Sequence, residues 1–292
     1  MDQAEQLRNI IKRQNRVRHL ARVITVTSGK GGVGKSNVSV NLAIELSRMG
    51  ERVVVFDADF GLANIEIMLG VRPKYNLADM MFRGKSLREV ISQGPDNIGF
   101  ISGGSGLREL TNLDRDQIQN LVRMMYELDG FADVVIIDTG AGISNTVMDL
   151  VLASEEVLLV ATPEPTSITD AYALLKTLCH QEDFYANRTK IWMIANRTRG
   201  YREGKELFEK LDAVVTKFLN LDMEYLGYIP YDEKLPKAVM RQQPVTVAYP
   251  NTVSSKAIYE LAMILNNGQS GQSQLSGKGL SGLITRMFRG GC

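Results

Sequence analysis

Short apolar runs and helically spaced apolar residues alternate through the middle of the chain. The β-branched runs predict strands at Val23–Thr27, Arg52–Phe56, Ile98–Ile101, Val134–Ile137, Val157–Ala161, Ile191–Ala195 and Tyr225–Ile229. The stretches between them predict helices at Ser39–Met49, Asp116–Leu128, Ser167–Leu178, Glu203–Leu219 and about Ser254–Leu265. Nearly continuous apolar strands that alternate with helices are typical of a parallel sheet covered on both faces. We therefore predict an α/β fold with a mostly parallel, twisted sheet of about seven or eight strands and helices on both faces.

The two ends of the chain differ from this pattern. Residues 1–21 place basic side chains between roughly helically spaced apolar ones, which predicts a separate arm. Residues 266–278 are rich in glycine, serine and glutamine, which predicts a flexible linker. Residues 279–292 form a short apolar and basic stretch. We expect the core domain to span residues 22–265.

Composition removes several classes of protein from consideration. A chain of 292 residues that is 44% hydrophobic can bury a large core without cross-links. The net charge of +1 gives no sign of bulk nucleic-acid binding. Two cysteines without a CxxC spacing and two histidines do not suggest a structural metal site. No secretory signal and no apolar run of membrane-spanning length is present, so we expect a cytoplasmic protein.

A glycine-rich loop follows the first predicted strand and precedes a helical pattern. Its residues fit the GxxxxGK[ST] phosphate-binding motif and are Gly29, Lys30, Gly31, Gly32, Val33, Gly34, Lys35 and Ser36. Glycines let successive backbone N–H groups point at phosphates, and the helix N-terminus adds a positive end. We predict that Lys35 reaches the β- and γ-phosphates of ATP and that the Ser36 hydroxyl binds Mg²⁺.

Lys30 is an additional cation in this loop, because an ordinary phosphate-binding loop does not require a lysine there. A cation beside the phosphates could reach a second nucleotide across a dimer and stabilise charge in the transition state. A solvated loop lysine is the alternative interpretation.

Two further predicted strands end in carboxylates, at Asp57 and Asp59 and at Asp138. Ligands of parallel sheets bind at the carboxyl ends of the strands. Asp57 and Asp138 could therefore hold waters of the Mg²⁺ shell, and Asp59 could orient the attacking water. Each carboxylate alone could equally be a helix cap. Gly140 and Gly142 would let the following loop move with the γ-phosphate.

These motifs resemble the MinD/ParA family of deviant-Walker ATPases. The resemblance rests on GKGGVGKS, on FDADFGLANIEIMLG (Phe56–Gly70) and on IIDTGAGIS (Ile136–Ser144), and it covers about Arg22–Leu265. It implies that Lys30 acts across a homodimer formed around two ATP molecules and that Asp59 positions the attacking water. It also implies that Asp57 and Asp138 support Mg²⁺.

The resemblance also implies an adenine site. Asn196 and Arg197 follow the strand Ile191–Ala195 in the place where the family reads adenine. The loop with Pro230 and Asp232 matches a second adenine-side element of the family.

Two positions depart from the family pattern. Asn37 stands where the family often has a second threonine, and Ser36 before it keeps the hydroxyl that Mg²⁺ needs. We count Asn37 among the nucleotide-binding residues. Gly140 stands where MinD has proline, which predicts a loop of different stiffness and a different rate of hydrolysis.

The first residues resemble the DQAxxLR element of the FlhG family of flagellar-number regulators. In that family the element docks on FlhF, a GTPase of the signal-recognition-particle type, and stimulates its hydrolysis. The resemblance implies docking through Asp2, Gln3, Ala4, Leu7 and Arg8, and flagellar basal-body (C-ring) proteins as further partners. A mobile basic arm without a partner is the alternative.

The last residues place apolar side chains on one helical face, with basic side chains off that face. The apolar residues are Leu280, Leu283, Ile284, Met287 and Phe288, and the basic ones include Arg286 and Arg289. A short basic amphipathic segment after a linker predicts a membrane anchor, similar to that of MinD. Packing against the protein itself or a partner is the alternative. An ATP dimer would carry two anchors, which predicts reversible association with the inner face of the cell membrane.

The leading hypothesis is an ATP-dependent, dimerising switch ATPase with low intrinsic turnover that regulates flagellar number and placement. A MinD-type division-site regulator is an alternative within the same class. A ParA-type DNA-partitioning ATPase would need a basic DNA-binding surface, and we expect no specific nucleic-acid partner. A redox enzyme of the nitrogenase iron-protein type would need two cluster cysteines, which Cys179 and Cys292 are not placed to supply.

Overall fold

The computed structural model describes residues 21–59, 64–104, 127–181, 184, 186 and 189–267. The predicted partner-docking arm up to residue 20, the linker beyond residue 267, the tail 279–292 and most of the predicted helix Asp116–Leu128 lie outside these ranges.

The core is one eight-stranded sheet. In chain order its strands are β1 Arg22–Thr27, β2 Val53–Ala58, β3 Ser92–Gln93, β4 Gly99–Ile101, β5 Val134–Thr139, β6 Glu156–Ala161, β7 Lys190–Thr198 and β8 Glu224–Pro230. Across the sheet the order is β3-β4-β2-β5-β1-β6-β7-β8, and every pair is parallel except β3 with β4. The predicted fold class is therefore confirmed.

Ten labelled helices flank the sheet within the described ranges. They are α1 Lys35–Arg48, α2 Asn64–Leu69, α3 Leu77–Arg83, α4 Leu87–Val90, α5 Asn145–Ala153, α6 Pro165–Cys179, α7 Tyr201–Leu219, α8 Lys234–Met240, α9 Val245–Ala248 and α10 Val253–Asn267. Residues 127–131 also have helical backbone geometry, and Pro95–Asn97 forms a short 3₁₀ turn. No described helix has both the length and the apolar character that a membrane crossing requires.

Alternate residues of the central strands pack against different layers, because successive side chains of a strand point to opposite faces. On one face Ile24 and Val26 of β1 pack with apolar residues of α1, α2, α9 and α10. On the other face Val23 packs with α3, α4 and residues 128–132, and the neighbouring strand β6 packs with α5, α6 and α7. Both faces are covered, which explains why the strands are apolar at almost every position.

The sequence pattern located seven of the eight strands and missed the short edge strand β3. Two residues with polar side chains, Ser92 and Gln93, carry no apolar alternation that would reveal a strand. Helix α5, of nine residues, was not predicted. The short helices α2, α3, α4, α8 and α9 were also not predicted. Each has four to seven residues, which is too short for a helical apolar pattern to be recognised.

Candidate functional site

The glycine-rich loop joins β1 to α1 at the carboxyl ends of the strands. Gly34 is the N-cap residue of α1 and has φ 97°, in the left-handed region that favours glycine. No side chain caps this helix end, so its first N–H groups remain available to an anion. A Cβ at Gly29 would lie 2.1 Å from the carbonyl carbon of Asp170, so only glycine fits beside the first turns of α6.

The remaining residues of the glycine-rich loop and the first turn of α1 also have defined positions. Gly32 also has a positive φ of 76°, and a Cβ at Gly31 would lie 3.8 Å from that of Ala141. Val33 is buried, and its carbonyl oxygen accepts a hydrogen bond from the side chain of Asn196. Asn37 lies in the first turn of α1.

Lys35 is held in the interior of the site. Its side chain is buried, and its Nζ donates to Ser28 Oγ at 3.0 Å. Burial lowers the pKa of the ammonium, while the carboxylates of Asp138 and Asp59 oppose that shift. An ammonium with little water around it binds a phosphate oxygen strongly, so Lys35 is placed to bind phosphate.

Asp57 and Asp138 are adjacent across the sheet and fully buried. They are partners in the register between β2 and β5. Asp138 Oδ1 accepts from Ser39 Oγ at 2.8 Å, and Asp138 Oδ2 has no hydrogen-bond partner among the described residues. From the described residues Asp57 accepts only long bonds, from the N–H groups of Asp59 at 3.2 Å and Ile65 at 3.4 Å.

Burial raises the pKa of both carboxyl groups. For Asp57 the pKa rises to about 8, with a further contribution from the nearby Asp138. For Asp138 it rises to about 6, opposed by the hydroxyls of Ser36 and Ser39 and by Lys35. The two adjacent carboxyl groups therefore have too little neighbouring positive charge to offset the cost of ionising them in a buried position.

The available oxygens fit Mg²⁺ that enters with a nucleotide. Within the described ranges no group of three or more His, Cys, Asp or Glu side chains is arranged to hold a metal ion. Mg²⁺ in nucleotide sites is usually bound by one or two carboxylates, waters and substrate phosphates. The free Asp138 Oδ2 and the Ser36 hydroxyl at the start of α1 match this need, and the metal roles of Ser36, Asp57 and Asp138 remain predictions.

Asp59 lies beside the loop that follows β5. Asn64 Nδ2 donates to Asp59 Oδ2 at 3.3 Å, and a Cβ at Gly140 would lie 3.6 Å from Asp59 Oδ1. The Gly142 N–H donates to the Ser28 carbonyl oxygen at 3.0 Å. The Asp59 carboxylate and the start of the glycine-rich loop therefore both lie against one segment, residues 140–142.

Lys30 lies in different surroundings from Lys35. Its Nζ donates to Glu164 Oε2 at 2.7 Å and to Thr166 Oγ1 at 2.8 Å, at the start of α6. The Lys30 side chain is 36% exposed, and its hydrogen bond lowers the pKa of Glu164. One loop thus carries a buried lysine and a surface lysine, as the proposed action across a dimer requires.

The predicted adenine-side residues have partners within the chain. Asn196 is buried, with Nδ2 donating to the Val33 carbonyl at 2.7 Å and Oδ1 accepting from the Arg197 N–H. A Cβ at Gly34 would lie 2.5 Å from Asn196 Nδ2, so the asparagine is packed on the phosphate loop. Arg197 is exposed and has a positive φ of 58°. The adenine role of both residues stays a prediction.

Asp232 has a structural role that the sequence did not reveal. Its Oδ1 accepts from the Lys234 N–H, and its Oδ2 accepts from the N–H and hydroxyl of Ser254 at the start of α10. Burial raises the pKa of Asp232, but these hydrogen bonds outweigh burial and leave the pKa below its usual value. Pro230 ends β8, two residues earlier. Their contact with a nucleotide remains a prediction.

Sequence reasoning missed four side chains that organise the site. Ser28 and Ser39 hold Lys35 and Asp138, Asn64 holds Asp59, and Glu164 holds Lys30. Ser39 lies one helical turn after Lys35, which is a signal that could have been used. Glu164 is distant from Lys30 in sequence, and a single sequence gives no sign of that contact.

Fold and site together define a P-loop nucleoside-triphosphate-binding protein. Residues 24–245 match the model of the CobQ/CobB/MinD/ParA nucleotide-binding domain. The chain belongs to the MinD/ParA family of nucleotide-binding ATPases, as the sequence motifs predicted.

Several known proteins are similar to the chain. The antiactivator FleN of Pseudomonas aeruginosa is 43% identical over 244 residues, 84% of this chain and 86% of FleN. The flagellum site-determining protein YlxH of Helicobacter pylori is 33% identical over 272 residues, 91% of this chain and 89% of YlxH. The septum site-determining protein MinD of Pyrococcus horikoshii, solved with Mg-ADP, has a TM-score of 0.70 at 25% identity, covering 88% of this chain and all of that one.

These similarities agree with the predicted resemblance to flagellar regulators of this family. The Mg-ADP in the Pyrococcus protein supports nucleotide and Mg²⁺ as ligands of the family.

The buried carboxyl pair predicts a pH dependence of folding stability. The pKa values of Asp57 and Asp138 are higher in the folded chain than their ordinary value of 3.8, so between about pH 4 and about pH 8 the folded state holds more protons than the unfolded state. Stability therefore falls as the pH rises through that window. The loss should be on the order of a few kcal/mol for protein free of nucleotide and Mg²⁺.

Thermal unfolding between about pH 5 and about pH 8.5 measures this dependence. Asp57→Asn should flatten the decline of Tm with pH. The exposed residue Asp222 provides a control, because Asp222→Asn should leave the slope unchanged. A slope that Asp57→Asn does not alter would contradict the assignment.

Proposed function

We propose that the protein is an ATP-dependent, dimerising switch ATPase that controls flagellar number and placement. The observation that supports this proposal best is the different burial of the two lysines of one loop. Lys35 lies inside the site with the carboxylates, whereas Lys30 lies at the surface within reach of a partner. The names of the relatives FleN and YlxH support the flagellar role over a division-site role.

In the proposed reaction Lys35 and the free N–H groups of α1 bind the phosphates of ATP. Ser36, Asp57 and Asp138 would hold Mg²⁺, which when bound would neutralise charge on the phosphates. Asp59 orients the water that attacks the γ-phosphate. Lys30 of each protomer leaves Glu164 and contacts the nucleotide of the other protomer. Intrinsic turnover is low, as suits a switch that awaits an activator.

Adenine is held by Asn196 and Arg197 after β7 and by the segment from Pro230 to Asp232 after β8. The proximity of Asn196 to Val33 supports this assignment, because it places the end of β7 against the phosphate loop. The domain limits, with an arm at 1–21, a linker at 266–278 and a tail at 279–292, belong to the same proposal.

The tail is proposed to anchor the ATP dimer to lipid. Deleting residues 279–292 should abolish sedimentation with vesicles while ATP-driven dimerisation persists, because the proposed nucleotide-binding residues all lie within residues 29–232. Vesicle sedimentation with ATP measures the first effect, and size-exclusion chromatography with ATP measures the second. Undiminished sedimentation of the truncated protein would refute the anchor.

The arm is proposed to stimulate a partner GTPase of the FlhF type. Deleting residues 1–20 should reduce that GTPase rate to its unstimulated value. An Arg8→Ala variant, with Arg13→Ala as the charge-matched change, separates a specific contact from general loss of positive charge in the arm. Equal stimulation by the truncated and the complete protein would rule out the role of the arm.

A further inference from the structure

The segment from residue 72 to residue 89 presents a basic surface on α3 and α4. It contains five basic and two acidic side chains, a net charge of +3 in a chain whose total is +1. The five cations are exposed or half-buried, and together we name them the α3–α4 basic surface: Arg72, Lys74, Arg83, Lys85 and Arg88. This concentration of positive charge has no role in the proposed reaction.

The two acidic side chains of the segment already hold the starts of the two helices. Asp79 Oδ2 accepts from the Asn76 N–H at 2.9 Å, and Asp79 Oδ1 accepts from Arg83 Nη1 at 2.6 Å. Glu89 accepts from the backbone N–H and the hydroxyl of the residue that caps α4, and from Lys85 Nζ at 3.0 Å. These hydrogen bonds lower the pKa of Glu89 to about 2. Both carboxylates are therefore ionised and engaged within their own helices.

The other three cations of the α3–α4 basic surface are Arg72, Lys74 and Arg88. All three are exposed, and none forms an ion pair with another described residue. Because they have no intramolecular carboxylate to leave, a carboxylate that another protein brings gains their full attraction. The surface thus offers three open cationic positions.

The side chain of Tyr75 joins the two sides of this surface. Lys74 Nζ lies 5.2 Å and Lys85 Nζ 4.2 Å from the centroid of the Tyr75 ring. The Lys85 ammonium, together with Lys74, lowers the pKa of the Tyr75 hydroxyl, which reflects a positive electrostatic potential at this place. Phe82, near the end of α3, is 36% exposed. The surface therefore combines cations with aromatic side chains.

The start of α3 is connected to the proposed catalytic carboxylate. The Leu77 N–H donates to the Ser102 carbonyl oxygen at 3.0 Å, and Ser102 Oγ donates to Glu66 Oε2 of α2 at 3.2 Å. Helix α2 begins at Asn64, whose Nδ2 donates to Asp59 Oδ2 at 3.3 Å. Three hydrogen bonds and one short helix therefore connect α3 to Asp59.

The composition of the surface favours a protein partner over nucleic acid or lipid. Nucleic-acid phosphates offer charge but no apolar contact for Phe82, and aromatic rings bind bases by stacking, whereas two lysines lie against the ring of Tyr75. Insertion into lipid needs an apolar helix face, but Leu77 and Met80 of α3 are buried in the core. An acidic protein segment with apolar side chains complements both the cations and Phe82.

We propose that the α3–α4 basic surface docks an acidic segment of a partner protein, and that docking raises the rate of ATP hydrolysis. The inference rests on the proposed switch ATPase with low intrinsic turnover. A docked segment restrains α3, and through Ser102 and Glu66 it restrains α2, whose Asn64 holds the Asp59 carboxylate. Less freedom of that carboxylate favours the geometry that orients water.

The test uses the full chain and two synthetic peptides of about 20 residues, one rich in glutamate and leucine and one with glutamine in place of each glutamate. Fluorescence anisotropy measures binding at about 50 mM and about 300 mM salt. The surface variant carries Arg72→Gln, Lys74→Gln and Arg88→Gln, which leaves both helix caps intact. The control variant loses the same charge from exposed helix positions, by Lys210→Gln, Lys217→Gln and Lys256→Gln.

The glutamate peptide should bind the surface variant roughly 10-fold more weakly than the wild type or the control variant, and its binding should weaken as salt rises. The glutamine peptide should not bind measurably. Equal binding by the surface and control variants overturns the inference. A wild-type protein whose basic surface prefers a DNA duplex or anionic vesicles to the glutamate peptide overturns it as well.

Phosphate release with Mg²⁺ and ATP measures the effect on hydrolysis. The glutamate peptide should raise the wild-type rate by roughly 5-fold or more. Ser102→Ala removes the hydroxyl that links α3 to Glu66, so it should bind the peptide as the wild type does and lose the stimulation. Peptide binding that leaves a measurable hydrolysis rate unchanged refutes the inference. A wild type that binds the peptide but hydrolyses no ATP would instead refute the proposed switch, because binding is measured without turnover.

Discussion

Lys30→Ala should lower ATP hydrolysis by roughly 10²- to 10³-fold and abolish ATP-driven dimerisation, while ATP binding is largely retained. The reason is the position of Lys30 at the surface of the protomer. Lys30 is partly exposed, and its hydrogen-bond partners among the described residues are the side chains of Glu164 and Thr166, whereas we assign phosphate binding within the protomer to the buried Lys35. Removing the surface ammonium leaves the nucleotide of the partner protomer without a compensating charge in the transition state.

Single-turnover hydrolysis and equilibrium ATP binding separate these effects. Lys35→Ala is the contrasting variant and should lose ATP binding itself. Glu164→Gln weakens the contact that holds Lys30 in its own protomer, so it should dimerise at lower ATP concentration than the wild type. A Lys30→Ala protein with wild-type turnover would show that this lysine is a solvated loop residue.

The second large effect is expected at Asp59. Asp59→Ala should slow hydrolysis by about 10²- to 10³-fold, in the range that positioned acid–base groups supply, and should leave ATP affinity within a few-fold of wild type. The carboxylate contacts Asn64 and faces Gly140; among the described residues it makes no hydrogen bond to the glycine-rich loop, although its charge acts on Lys35. Its loss would remove the group that we propose orients water, without removing a proposed phosphate ligand.

Phosphate release under saturating ATP and Mg²⁺ measures this rate. Asp222→Ala, an exposed aspartate far along the chain on the segment before β8, is the control for loss of a negative charge. Asn64→Ala should show a smaller decrease than Asp59→Ala, because it removes only the residue that holds the carboxylate. Rapid hydrolysis by Asp59→Ala would assign the water to another residue.

The fold could be predicted from the sequence because the central strands are buried on both faces. Strands such as Val53–Ala58 and Val134–Thr139 are therefore apolar over their first four residues and carry an aspartate at the fifth, at the site. The glycine-rich loop could be recognised because its backbone geometry limits the residue types. Gly34 has φ 97°, and a Cβ at Gly29 would clash with the backbone of Asp170.

Contacts between distant segments could not be predicted from one sequence. Glu164 and Lys30 are 134 residues apart, and neither lies in a pattern that points to the other. Asp232 reads as part of an adenine loop, yet its hydrogen bonds cap the helix that begins 21 residues later. The hydrogen bond from Arg22 to the Leu265 carbonyl joins β1 to α10, which only a three-dimensional arrangement reveals.

The central claim concerns assembly: two copies bind around two ATP molecules, and Lys30 completes the partner's site. Size-exclusion chromatography with light scattering on the wild type and on Asp59→Ala, each with Mg²⁺ and either ADP or ATP, tests it most directly. The account predicts a monomer with ADP, and with ATP a dimer that persists in Asp59→Ala because hydrolysis is blocked. A mass that stays monomeric in Asp59→Ala at saturating ATP would contradict the account and leave a nucleotide-binding protein without a switch.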